Sequence, residues 1–216
     1  MRTPGSNGAE TLRNLRSAAI RLLSEHGYDA MNLRMLAKSI GVQVGSLYNY
    51  IDSKQQLLFW LMKESVEGLL AEFDQRMDEA DEPAMQMRDF VIVHLNYHFT
   101  HLQESLVLNA EKRSLTPKNH RAISSLERLY TAKVQDIIDR GAATGDFRIA
   151  DSQVATFALL QMLTSVIRWY QPRGRLARED LIKVYLDMTF ALLQADRAEI
   201  ASEPRVIVTT EETGAA

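Results

Sequence analysis

Between Gln43 and Lys54 the chain carries amides, hydroxyls and an ammonium at a spacing that gives them a common surface. Gln43, Ser46, Asn49 and Tyr50 recur every three or four residues, so a helix through them would present all four on its outer face. Gln, Ser and Asn side chains can hydrogen-bond the edges of nucleic-acid bases, whereas Tyr48, Tyr50 and Lys54 suit phosphate oxygens. Val44 and Gly45 fall in the same segment, and a glycine there would let the backbone lie close to a partner. His94, His98 and His101, at i, i+4 and i+7, are a second set. A zinc site would need a further ligand; the chain has no cysteine, and Asp89 is the sole carboxylate on that stretch, so none can be placed. These histidines are expected to be satisfied in a central helix or to line a cavity. Neither a Gly-rich phosphate loop nor a nucleophile elbow nor a Ser/His/Asp arrangement occurs. The residues read as those of a binding protein, not an enzyme, with no metal and no cofactor.

Residues 32–54, NLRMLAKSIGVQVGSLYNYIDSK, supply the scaffold that the first set needs. Leu33, Leu36, Ala37 and Ile40 repeat as one buried helical face, and Asn32 can cap that helix by accepting from a free backbone N–H. Gly41 can end it in the left-handed conformation, and Val42 can plug the angle to a second helix over 43–50. That second helix buries Val44 and Leu47, with Ile51 beyond. Two short helices so joined form a helix-turn-helix, whose second member fits a DNA major groove about 12 Å wide.

The pattern Ala37-x-x-x-Gly41-Val42-x-x-Gly45-x-Leu47-Tyr48-x-Tyr50-Ile51-x-x-Lys54 resembles the DNA-binding domain of the tetracycline-repressor (TetR) family of bacterial transcriptional regulators, over roughly residues 10–60. The family more often has Thr or Ser where this chain has Asn32, Ser or Thr at Gln43, and Phe at Ile51. The first two changes alter reach, so the operator sequence cannot be borrowed from a relative. The resemblance implies that Asn32, Gln43, Val44, Gly45, Ser46, Tyr48, Asn49, Tyr50 and Lys54 form the DNA-binding set, with the tyrosines and the lysine on phosphates. It also implies a homodimer on a pseudo-palindromic double-stranded operator. The segment Trp169-Tyr170-Gln171-Pro172-Arg173-Gly174 carries a second resemblance, to TetR-family regulators of fatty-acid, acyl-CoA and sterol breakdown. That implies a long apolar effector such as a CoA thioester, with Arg113, Arg168, Arg173 and Arg175 available for its acidic end.

Composition agrees with a soluble regulator. The 216 residues are 46% hydrophobic and 25% charged, as in ordinary globular proteins. Residues 1–63 hold eight Lys or Arg against four Asp or Glu, a net of +4, which leaves −7 to the rest of a chain whose total is −3. A basic head on an acidic body directs the head to phosphate. With no apolar run near the roughly 18 residues of a membrane span and no signal-peptide core, the expected location is cytoplasmic, without membrane contact.

The expected fold class is all-α: a three-helix helix-turn-helix head and a larger helical body for ligand binding and dimerisation. Residues 1–9 read as a flexible arm, 10–51 as the head, 52–195 as the body and 196–216 as a disordered tail with a short Val206-Ile207-Val208 alternation. A first helix from Glu10 should end at Gly27. A long helix capped by Asp52 or Ser53 should run to about Ala80 and join head to body without a linker. Further helices are expected over 84–102, 104–115, 118–141, 152–170 and 176–193, the first of them central because it has no polar face. The last two should dimerise, with Ala155, Ala158, Thr164 and Ser165 allowing close approach. Leu95, His98, Phe99, Asn109, Arg113, Phe157, Met162 and Trp169 are the expected contacts of the small apolar effector. Alternatives are a TetR-type efflux regulator answering hydrophobic drugs, or a helical small-molecule-binding or protein-interaction module.

Overall fold

A computed structural model describes residues 6–78 and 81–195, which form nine α-helices and two short 3-10 turns, with no strand among the described residues. The helices are α1 (Ser6–Ala30), α2 (Leu33–Ser39), α3 (Val44–Leu47), α4 (Lys54–Arg76), α5 (Pro83–Thr100), α6 (Leu102–Glu111), α7 (Pro117–Thr144), α8 (Ser152–Thr164) and α9 (Arg178–Leu192). The all-α expectation holds. The tail from Asp196, including Val206 to Val208, lies outside the described residues.

Two apolar cores organise the chain. The first joins α1, α2, α3 and the first half of α4, where Leu15, Ala19, Leu36, Leu47 and Leu61 are fully buried. It extends onto the body through Val107, Leu108, Leu115 and Ile123. The second core is built around α5, which packs against α4, α7, α8 and α9. Phe90, Val91 and Leu95 of α5 are fully buried, as an all-round apolar helix requires. Phe73, Phe90 and Tyr130 meet edge to face or tilted, at ring separations of 5.7–6.2 Å, which suits their quadrupoles.

Local chemistry sets the element ends, and several differ from the sequence reading. Helix α1 already begins at Ser6, inside the expected arm. Its axis breaks at Gly27 (φ 71°, ψ 170°), but one further turn follows to Ala30. That break frees the Tyr28 N–H, which donates to Glu111 Oε1 at 3.0 Å. Asn32 accepts from the Met35 N–H at 3.1 Å, and Ser53, not Asp52, caps α4 by accepting from Gln56. The regular part of the second helix is only Val44–Leu47; Asn49 and Tyr50 continue it with tighter bonds to Ser46 and Leu47. Helix α4 stops at Arg76, short of Ala80. Gly141 does not end α7: a Cβ there would fall 2.2 Å from the Phe147 ring, so the glycine is a packing requirement, and the helix runs on to Thr144. Helix α8 tightens into a 3-10 turn, Ser165–Arg168, and the last helix starts at Arg178.

Candidate nucleic-acid interface and ligand cavity

The turn between α2 and α3 holds a polar face open. Asn32, Gln43, Gly45, Ser46, Tyr48, Asn49 and Tyr50 are exposed, and Val44 and Lys54 are half-buried. Tyr48 at 55% and Tyr50 at 38% exposure are too open to be core residues. Gln43 stands at the N-cap of α3 yet makes no capping bond, so its amide is free to point outward. A Cβ added at Gly45 would meet nothing within 4 Å, and its φ lies outside the left-handed range. Nothing among the described residues requires glycine there. Asn32 is spent as a cap, with its oxygen on Met35 N. Lys54 Nζ donates to the Asp29 carbonyl at 3.2 Å and lies 4.1 Å from the centre of the Tyr28 ring. A cation in the first turn of α4 faces the positive end of the helix dipole, and here a carbonyl in the last turn of α1 and the Tyr28 ring offset that within the chain.

A cavity of about 390 Å³ lies at the seam of the two cores. Met62, Leu108 and Ile123 line it and belong to the head core, while Tyr130 and Ile167 line it and belong to the body core. Its polar floor is a hydrogen-bonded chain. His94 Nδ1 is 3.0 Å from the Tyr130 hydroxyl and its Nε2 is 3.2 Å from Thr164 Oγ1. His98 Nδ1 is 3.0 Å from Ser105 Oγ, and the two imidazoles are 4.6 Å apart. Burial, with the neighbouring His98 adding to it, drives the His94 pKa well below the ordinary histidine value. Burial first and His101 second lower His98 to about 4. Burial likewise raises Tyr130 well above the usual phenol value, with Glu72 adding to it. All three groups are therefore neutral near pH 7. Lys112 and Glu127, the charged side chains lining the cavity, pair with each other.

Of the expected effector contacts, the structure brings His98, Asn109 and Phe157 to the cavity wall. The other five stand elsewhere. Leu95 is sealed in the body core, and Phe99 packs on Tyr170 at 4.3 Å beneath the Arg178 guanidinium. Met162 packs against the body core, Arg113 is exposed, and Trp169 lies outside, stacked on Tyr185 at 6.4 Å. For Leu95, Phe99 and Met162 the reason is that helical periodicity finds a buried face but does not say which part of that face borders a void; Arg113 and Trp169 are not on a buried face at all. Arg168 reaches the wall, its Nη2 3.5 Å from Asn109 Oδ1, whereas Arg173 and Arg175 are exposed. His94, Ser105, Tyr130 and Thr164 also line the cavity and are not among the expected contacts, although His94 belongs to the histidine set. Thr164, expected at a dimer surface, turns inward to His94, and Ala155 is buried in the core; Ala158 and Ser165 remain exposed. The third histidine, His101, donates from Nδ1 to the Tyr97 carbonyl at 3.0 Å. Among the described residues no group of three His, Cys, Asp or Glu could hold a metal ion.

Two routes connect cavity and polar face. Helix α4 carries Lys54 at its start, head-core residues to Met62, cavity residues Met62, Ser65, Val66 and Leu69, and body-core residues beyond. Tyr97, another lining residue, donates to the Ser65 carbonyl of α4 at 2.7 Å. Helix α6 forms a second cavity wall and grips α1, since Arg16 pairs with buried Glu104 at 2.5 Å and Tyr28 N–H meets Glu111. Gln55 ties the corner: its amide nitrogen donates to Tyr28 Oη and Ser114 O, both at 2.6 Å, and its oxygen accepts from Thr116 N at 3.1 Å.

Comparison with known proteins agrees with this geometry. The family model described as bacterial regulatory proteins, tetR family, matches residues 15–60, and that described as tetracyclin repressor-like, C-terminal domain, matches residues 80–193. The transcriptional repressor KstR2 of Mycolicibacterium smegmatis is 24% identical over 183 residues, covering 84% of this chain and 89% of the relative. The TetR-family regulator PfmR of Thermus thermophilus superposes with a TM-score of 0.75 at 29% identity, over 85% of this chain and 98% of that one. AibR, solved with isovaleryl coenzyme A and operator DNA, shares the fold at a TM-score of 0.76 and 22% identity, over 85% and 98% of the two chains.

Proposed function

The chain belongs to the TetR family of bacterial regulatory proteins, which are DNA-binding transcriptional regulators and not enzymes, and on that premise we propose that it is a repressor that leaves its operator when an apolar acyl-CoA-like effector fills the cavity. The observation that carries this reading is the position of the cavity: Met62, Leu108 and Ile123 have one side in the head core and the other against the ligand space. An occupant there pushes on the same residues that hold α1 to α3 in place. The likeness to AibR, which was solved with a CoA thioester and operator DNA, supports the effector class, and the predominantly apolar lining suits an acyl chain. Asn109, with Arg168 beside it, offers a polar exit for the rest of such a molecule.

The DNA contacts fall to Gln43, Ser46 and Asn49 for base edges and to Tyr48, Tyr50 and Lys54 for phosphates, with Val44 and the bare backbone at Gly45 against the groove. Asn32 acts through the cap that sets the angle of α2. One such face spans too few base pairs for specificity, so the active species is a homodimer on a two-fold operator. Exposed Val154 and Phe157 on α8 and Val184 and Met188 on α9 support pairing through these helices, in place of the small residues first expected there. A DNA ligand puts the protein in the cytoplasm. No described helix is long and apolar enough to cross a membrane.

Fluorescence anisotropy on an operator duplex selected from genomic fragments tests the reading. Octanoyl-CoA and longer acyl-CoAs should release the DNA at concentrations where free CoA does not. Release by cationic hydrophobic dyes alone would replace this reading with that of a drug-responsive efflux regulator. DNA binding indifferent to both would remove the effector reading altogether.

A further inference from the structure

The floor of the cavity has a definite hydrogen-bond polarity. The Ser105 hydroxyl has His98 Nδ1 as its side-chain partner, and a buried hydroxyl donates where it has an acceptor. Nδ1 therefore accepts, and the remaining proton of neutral His98 sits on Nε2, which has no partner among the described residues. The same count applies next door. Two hydroxyls compete for the His94 ring. Tyr130 is the more deeply buried and has no other acceptor among the described residues, whereas Thr164 is partly exposed on the cavity and can turn its proton there. Tyr130 therefore donates to Nδ1, and His94, protonated on Nε2, donates to Thr164 Oγ1. The Thr164 hydroxyl proton then has no acceptor among the described residues, and Thr164 lines the cavity. Two unspent donors result, both beside the His94 ring.

We propose that His98 Nε2–H and the Thr164 hydroxyl form an uncharged donor pair that selects apolar ligands by a neutral carbonyl oxygen, as in a ketone, ester or thioester. A hydrocarbon lying over the floor would leave both donors unsatisfied beneath it, which binding sites built to hydrogen-bond their ligand penalise strongly. A carboxylate would satisfy them but would place a charge in low dielectric with no free cation among the lining residues, because Lys112 is paired with Glu127 and both histidines resist protonation. The inference rests on reading the cavity as the effector site, and it names the atom by which that site knows its effector.

Calorimetric titration of the full-length protein with 2-nonanone, 1-nonene and nonanoate tests the pair without coenzyme A. The ketone should bind about tenfold or more tightly than either analogue, the size expected for one good hydrogen bond. His98→Phe and Thr164→Val should each reduce that preference about tenfold, while His98→Gln, which keeps an N–H near the same place, should retain most of it. Equal affinity for ketone and alkene, tighter binding of nonanoate, no ketone binding, or a preference unchanged in both donor-deleted variants would overturn the proposal. The ligand series on the unaltered protein decides the matter even if a variant fails to fold. Ketone preference with no acyl-CoA effect on DNA would remove the effector reading and leave the donor pair standing. DNA release by acyl-CoA with no ketone preference would do the reverse.

Discussion

At Gly45 the needs of the fold and those of the proposed DNA contact part. Because its Cβ would meet open space within a helical turn, Gly45→Ala should raise stability by about 0.5–1 kcal/mol through helix propensity. The same methyl should push the backbone off the groove and weaken operator binding at least tenfold; thermal melts and anisotropy titrations read the two effects separately. Lys54→Ala should weaken binding to all duplexes alike and lower the salt slope by about one charge, whereas Gln43→Ala or Ser46→Ala should relax preference at symmetric positions by about 1–3 kcal/mol. A uniform loss in the latter two would remove their base-reading role. The buried histidines give a stability signature. His98 titrates at about 4 when folded and near the ordinary value of 6.5 when unfolded, so the unfolded chain takes up the proton first. Stability should therefore be full above pH 6.5 and fall as the pH drops towards 4, by about 3 kcal/mol for His98 alone. His94 adds in the same direction. Chemical denaturation across that range should show a shallower slope in His98→Gln than in the unaltered protein.

At the scale of elements, α4 is one of two links between cavity and polar face. Gly-Gly inserted after Lys63 breaks α4 between Met62 and Val66 but leaves Arg16–Glu104 and Tyr28–Glu111 in place. Effector-driven release should then be weakened and not abolished. Combining the insertion with Glu104→Ala and Glu111→Ala, which remove the two bonds of α6 to α1, should abolish it while each ligand still binds; release that survives all of these changes would show that neither route carries the coupling. Much of this layout is legible in the sequence. Asn32, Gly41, Ser53 and the apolar repeat of α2 mark the helix-turn-helix, and the all-round apolar face of α5 marks the centre of the body. The grip of α6 on α1 is not legible, because Arg16 and Glu104 are 88 residues apart and each looks like an ordinary surface charge. The cavity is only half legible: the histidine spacing points to His94 and His98, but Tyr130, Ser105 and Thr164 arrive from three other helices. Gly141 misleads for a similar reason, since the Phe147 ring that demands it follows six residues later in an irregular loop.

Over the whole molecule, a basic head and an acidic body make operator affinity fall steeply with salt while effector affinity should change much less. Size-exclusion light scattering should give a dimer that Val154→Glu together with Met188→Glu dissociates, since both exposed side chains stand on the apolar surface of α8 and α9 and neither lines the cavity. Loss of operator binding in that variant, with its thermal melt otherwise intact, would tie DNA recognition to two-fold pairing. If one cavity wall is part of the head core, effector and operator compete through the conformation of α4 and α6, and linkage requires each to weaken the other by the same factor. The direct measurement is the affinity of a DNA-releasing acyl-CoA, by calorimetry, for the free protein and for the protein saturated with operator. The predicted result is a loss of affinity on DNA of at least about fivefold, equal to the factor by which that acyl-CoA weakens operator binding. The same acyl-CoA affinity in both forms would contradict it.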